Sequence, residues 1–171
     1  MCFSTVFAFF PLYARKAELS LVLIGSILGV RTLISTTVRV PVGILAQKMN
    51  STVLVFFAIV LSSVALFAIP IFDSYYPLLI VLSLEGMSYG IILVSSSTLI
   101  VQVSQRHERG AAMGLLTTSQ CADDTIGSLA LGLIGEWWSL RTVFAVASAT
   151  AVLGAIYLGV HKDLFAISRV D

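Results

Sequence analysis

Long apolar runs separated by short polar clusters set the pattern of this chain. Five runs, Leu19–Gln47, Thr52–Phe72, Pro77–Ser104, Arg109–Trp138 and Thr142–Val160, each hold roughly 20 residues or more. At about 1.5 Å per residue a helix of that length crosses a hydrocarbon core about 30 Å thick. Met1–Leu12 is equally apolar, but about 12 residues are too few to span. It reads as the second half of a helix whose beginning is missing, with Pro11 and the polar run Arg15–Glu18 forming the first loop. The other breaks fall at Lys48–Ser51, Asp73–Tyr76, Gln105–Arg109 and Trp137–Arg141. The pattern predicts an all-α fold, a polytopic membrane helix bundle of about five full transmembrane helices plus a truncated first helix. Residues 1–171 then form a single transmembrane domain.

Composition sharpens this reading. Charged residues make up 11% of the chain against about 25% in soluble domains, which points to an integral membrane protein. A net charge of +1 gives no general attraction to nucleic acid. Cys2 and Cys121 suggest neither a disulfide framework nor a metal site. No GxxxxGK[ST] loop is present for ATP, and no HExxH or GxSxG motif for hydrolysis, so no cofactor is expected. The start, MCFSTVFAFFPL, lacks the basic region and cleavage site of a signal peptide. Successive spans alternate sides. The loops at Lys48 and at Arg106/Arg109, with the tail at Lys162 and Arg169, fall on one side and carry more Lys and Arg than the other, which has Arg15, Lys16 and Arg141. That asymmetry places the first side, and the C-terminus, in the cytoplasm. Tyr13, Tyr75, Tyr76, Trp137 and Trp138 then form one interfacial belt at the opposite face. A multi-pass position in the cell membrane, among lipid, follows as an expectation.

Charges inside spans are the candidates for chemistry, because an ionised group at mid-membrane is costly and usually faces a protein interior or a wet cavity. Asp123 and Asp124 lie on the order of 21 Å along the fifth span, and Arg31 roughly 25 Å in from the same side. Their similar depth suggests either a centre that binds substrate or a proton, or a structural ion pair between two helices. Neighbours on a helix point about 100° apart. Asp124 shares a polar stripe with Thr117, Gln120, Cys121 and Ser128, and is expected to face a cavity. Asp123 shares a small-residue face with Ser119, Gly127 and Ala130, suited to helix contact, and is expected to be the packed partner of a basic residue or a backbone group. Adjacent carboxylates resist double ionisation, which suggests proton coupling. Glu85, roughly 12 Å into the fourth span, is read first as a carboxylate hydrogen-bonded to a neighbouring helix and second as a gate or proton site. Arg39 is close enough to the cytoplasmic interface to anchor there. The third and sixth spans lack ionisable side chains apart from tyrosine, so they are expected outside, facing lipid. Gly25/Gly29, Gly86/Gly90 and Gly110/Gly114 each form a small-xxx-small pair suited to close helix contact.

Two stretches carry a family resemblance. In RVPVGILAQKMN, Arg39–Asn50, the positions Gly43, Gln47, Lys48 and Asn50 stand where a cytoplasmic-loop motif commonly has Gly, Asp, a basic residue and Gly. RGAAMGLLTTSQ, Arg109–Gln120, followed by IGSLALGLI, Ile126–Ile134, is similar to the eleventh helix of twelve-span members. The chain resembles one half of a major facilitator superfamily transporter, the second half on the strength of that helix. In the loop, Gly43 and the basic Lys48 match, while Gln47 replaces the gate-locking Asp. In the later helix, a frequent Asp falls at Cys121 and a frequent Gly at Asp123, leaving Asp124 one turn along to supply a carboxylate. The resemblance implies a secondary transporter, symporter or antiporter, moving a small solute by alternating access with its site between two halves. The half would then need its missing N-terminal partner half or a second copy. The competing readings are a membrane-embedded enzyme such as an aspartyl intramembrane protease, for which Glu85 is the only second in-span carboxylate, and a helix bundle that assembles without transporting.

Overall fold

The computed structural model describes residues 2–137 and 139–160, and every regular element there is helical. In chain order these are α1 (Cys2–Lys16), α2 (Leu21–Lys48), α3 (Ser51–Ala68), α4 (Tyr75–Val103), α5 (Arg109–Trp137) and α6 (Leu140–Val160), with a short 3-10 turn at Ile69–Ile71 extending α3. Trp138, Lys162 and Arg169, used above for the interfacial belt and the charge asymmetry, lie outside the described residues, as does the Lys48 side chain.

Local chemistry explains the helix ends. Ser20 Oγ accepts the Leu23 N–H at 3.4 Å, and Asn50 Oδ1 accepts the Thr52 N–H at 3.1 Å; each satisfies an amide that the helix itself leaves open. α1 differs from expectation. It runs straight through Pro11 to Lys16 instead of breaking there, because Phe9, Phe10, Tyr13 and Ala14 on either side of the proline are locked into the core. Four stretches, Leu21–Gln47, Ser51–Ile71, Tyr75–Val103 and Leu140–Val160, are long and apolar enough to cross a membrane. α5 has 29 residues, ample length, but Gln120, Asp123 and Asp124 lower its hydropathy. Among the described residues five helices, α2 to α6, thus have spanning length, four of them strongly apolar.

The core is gathered at one end of the bundle. It joins Phe10 and Tyr13 near the end of α1, Ile24 and Ile27 near the start of α2, Leu66 and Ile69 around the end of α3, Leu78 and Leu82 in the first turns of α4, Leu131 late in α5 and Phe144 early in α6. Tyr13 packs edge-on against Phe144, with centroids 5.8 Å apart. Its hydroxyl donates to Asp73 Oδ1 at 2.8 Å, and Arg141 approaches the other carboxylate oxygen at 3.9 Å. The loops after α1, α3 and α5 therefore meet at this end, as alternating spans require. Toward the other end α5 separates from the rest: its buried residues are Gly127 and Leu131, both in its second half.

The packing partners follow a repeat. α2 lies on α4 and α5 on α1; α4 lies on α3 and α1 on α6; α3 and α6 lie on each other. Exchanging the first three helices for the last three maps this set onto itself, and the members of each exchanged pair run in opposite directions. That is an inverted repeat of three helices. At its centre Ser63 and Ser148 bond reciprocally: Ser63 Oγ donates to Ser148 O at 3.2 Å, and Ser148 Oγ to Ser63 O at 3.0 Å. The outer faces of α3 and α6 expose Phe57, Val64 and Phe67, and Leu153, Ile156 and Tyr157, a surface suited to lipid.

The glycine pairs divide. A Cβ on Gly86 would lie 2.5 Å from the Arg31 carbonyl oxygen, and one on Gly90 2.6 Å from that of Ser35. α2 and α4 thus run parallel in backbone contact, stepping together by four residues. Gly25, Gly29, Gly110 and Gly114 would meet nothing within 4 Å, so the contact expected of these two pairs is not made among the described residues. The difference gives a prediction. Gly86→Ala should destabilise the bundle by about 1–3 kcal/mol, the usual cost of overpacking, whereas Gly29→Ala and Gly114→Ala should leave it unchanged. Thermal unfolding in detergent micelles, followed by circular dichroism, measures both.

Candidate functional site

The parallel α2–α4 contact brings Arg31 against Glu85. Arg31 Nε donates to Glu85 Oε2, and the two side chains are 1% and 0% exposed. The glycines permit it, since a larger residue at position 86 would push α4 away from the very backbone that carries Arg31. Aromatic rings enclose the guanidinium: its carbon lies 5.1 Å from the Phe7 centroid and 5.7 Å from that of Tyr89, within the range in which a cation is attracted to a ring face. The second carboxylate oxygen, Glu85 Oε1, is buried without a hydrogen-bond partner among the described residues. Arg39 Nε, two turns further along α2, is in the same condition.

Tyr89 connects this pair to the aspartates. It lies one turn beyond Glu85 on the same face of α4 and within electrostatic reach of Asp124, Arg39, Arg31 and Glu85. On its other side is a groove of about 440 Å3 between α3, α4, α5 and α6. Asp123, Asp124 and Gln120 reach it from α5, Ile59 and Ser62 from α3, and Thr150 from α6. Asp124 and Gln120 are half-buried and Asp123 is exposed. All these residues sit near the middle of their helices.

The structure therefore joins Arg31 to Glu85, a partner that matching by depth alone did not select. Depth gave Arg31 and the aspartates one level in the membrane, but which helices touch is decided by Gly86 and Gly90. Tyr89 went unnoticed in the sequence, although its position four residues after Glu85 and next to Gly90 was a readable signal. Of the loop motif, a Cβ added at Gly43 would lie 4.0 Å from Val94 Cγ1 on α4, and Gln47 is exposed. No cluster of His, Cys, Asp and Glu able to hold a metal occurs among the described residues.

The sequence profile of the Major Facilitator Superfamily matches residues 1–164. The chain belongs to the Major Facilitator Superfamily. Like other members, it is an integral membrane protein. Among its relatives is the multidrug resistance protein MdtG of Klebsiella pneumoniae, 26% identical over 86% of this chain and 37% of that protein. MdtG of Salmonella dublin is 22% identical over 99% of this chain and 43% of its own length. An uncharacterized MFS-type transporter of Methanocaldococcus jannaschii is 19% identical over 92% and 41%. The chain thus spans about two fifths of the length of the curated relatives it matches.

The buried pair of this superfamily member can be tested apart from transport. Arg31→Met strands a carboxylate in the interior and should cost about 3–5 kcal/mol, while Arg31→Met with Glu85→Leu should restore most of that loss, as apolar replacement of a whole buried pair commonly does. Unfolding midpoints of the single and double variants in the same micelles measure the difference.

Proposed function

We propose that this chain forms one six-helix half of a secondary transporter of the cell membrane, with its Lys48 and Arg106/Arg109 loops in the cytoplasm. In this reading the half supplies one wall of a solute pathway and works against a partner half by alternating access. The observation that carries the reading is the buried Arg31–Glu85 pair, set at mid-helix beside Tyr89 and the Asp124 groove in a chain of this superfamily. Ionisable groups so deep are expensive, and a transport pathway is the usual reason for retaining them.

The residues divide the work as follows. Asp124 and Gln120 meet the solute, with Asp123 beside them. Glu85 holds Arg31 in place while its unpartnered Oε1 offers a position for a proton. A proton arriving there weakens the hold on Arg31, and the charge balance around Tyr89 shifts with it. Proton binding is thereby linked to the electrostatics of the solute site. The relatives named for multidrug resistance support export of small organic solutes as the direction and class of transport.

The test is transport by the complete gene product in sealed vesicles carrying an imposed proton gradient. Asp124→Asn should abolish gradient-driven movement of solute; if driven movement persists in this variant, the role given to Asp124 fails. Glu85→Gln should weaken the dependence on the gradient while leaving exchange of solute for solute in place.

A further inference from the structure

The Asp73 end of the bundle carries a second cavity, which shares no lining residue with the groove beside Tyr89. Its volume is about 520 Å3, and Lys16, Glu18, Asp73 and Arg141 line it together with Tyr13 and Ser139. Two cations and two carboxylates give it a net charge of zero and strongly polar walls. These charges are not used up on one another. Asp73 takes the Tyr13 hydroxyl on one oxygen, and Arg141 stands 3.9 Å from the other, beyond hydrogen-bond length. The guanidinium keeps most of its five donors and the carboxylate keeps lone pairs, with side chains 68% and 61% exposed. Lys16 and Glu18 enter no ion pair among the described residues. Glu18 also holds a φ of 60°, a left-handed conformation that glycine or asparagine adopts more readily. A carboxylate kept at that position, against backbone preference, points to a use for its charge.

Position and charge together select the ligand. Tyr76 and Trp137 stand at this end 75% and 82% exposed, as aromatics of a lipid–water boundary do. Leu12 lies one turn before Lys16 on the same face of α1 and is 54% exposed, so apolar surface leads from the cavity toward the hydrocarbon. Balanced charges in the cavity suit a zwitterion: a phosphate matches Lys16 and Arg141, and an ammonium matches Glu18 and Asp73. The one aromatic ring among the lining residues is Tyr13, which is 5% exposed and packed edge-on against Phe144. The cavity therefore lacks the aromatic cage that takes a quaternary ammonium. A primary ammonium instead brings three N–H donors for the carboxylates to accept.

We propose that this cavity binds the headgroup of an ethanolamine phospholipid, its phosphate against Lys16 and Arg141 and its ammonium against Glu18 and Asp73. Leu12 lies beside the acyl chains. The bound headgroup ties the end of α1 to the α3–α4 connection and to the start of α6. The site stands apart from the solute pathway and does not depend on the transport reading.

Native mass spectrometry of the purified full chain tests it, with micelles supplied with equal amounts of ethanolamine and choline phospholipids of identical acyl chains. Ethanolamine adducts should exceed choline adducts about tenfold. Glu18→Asn removes the charge and suits the left-handed backbone, so the chain should stay folded by circular dichroism while the two adducts fall to parity. Lys16→Gln, an exposed change on the phosphate side, should instead weaken both adducts. Glycerophosphoethanolamine, the same headgroup without chains, should not displace the lipid even in large excess. Parity of the two adducts on wild-type chain, or an ethanolamine preference that survives in folded Glu18→Asn, overturns the site. Displacement of the lipid by glycerophosphoethanolamine also overturns it, since the cavity then takes a soluble zwitterion.

Discussion

A charge taken out of water must be met by another charge or by dipoles, and in this bundle that constraint falls on Arg31 and Glu85. Their attraction is strong because both are sealed from solvent, and for the same reason neither can be left alone. The rest of the arrangement serves this meeting. Gly86 and Gly90 remove the side chains that would hold α4 away from α2. Phe7 and Tyr89 close over the guanidinium. The pair fixes the register of α2 against α4, since a slip of one residue on either helix would turn one of the two charges toward apolar surroundings.

From that fixed contact the bundle is graded along its length. At the Asp73 end, side chains from all six helices interlock in one core. Toward the opposite end α5 leaves its neighbours, and polar groups of α3, α5 and α6 line the space that opens. Such a gradient suits a member of the Major Facilitator Superfamily: the tightly packed end holds the helices to one another, while the looser end keeps carboxylates accessible. It also explains why Asp123 and Asp124 are tolerable on α5. They line the groove between α3, α4, α5 and α6, where Asp124 is half-buried and Asp123 exposed.

Most of the fold was legible in the sequence. Apolar runs separated by charged breaks gave the six helices, and the lack of charge in α3 and α6 gave their outward faces. The errors have identifiable physical causes. Proline removes a backbone donor and so predicts a break at Pro11, yet the packing of its neighbours outweighs one lost bond. Gly25/Gly29 and Gly86/Gly90 have the same spacing, and spacing alone does not tell which pair has a helix opposite it. Arg31, Glu85 and Asp124 were each recognisable as charges in the wrong solvent. Their pairing was not, because it depends on the order of helices in three dimensions, which hydropathy does not encode.

The close approach of α4 to α2 bears on how such a bundle changes shape. Two backbones touching through glycines and pinned by a desolvated ion pair have no slack for sliding or tilting past each other. They travel as a single stiff plate. Bending within this bundle is thereby confined to the thinly packed α5 and to the short connection at 104–108, so that helix becomes the pliable margin of an otherwise rigid body.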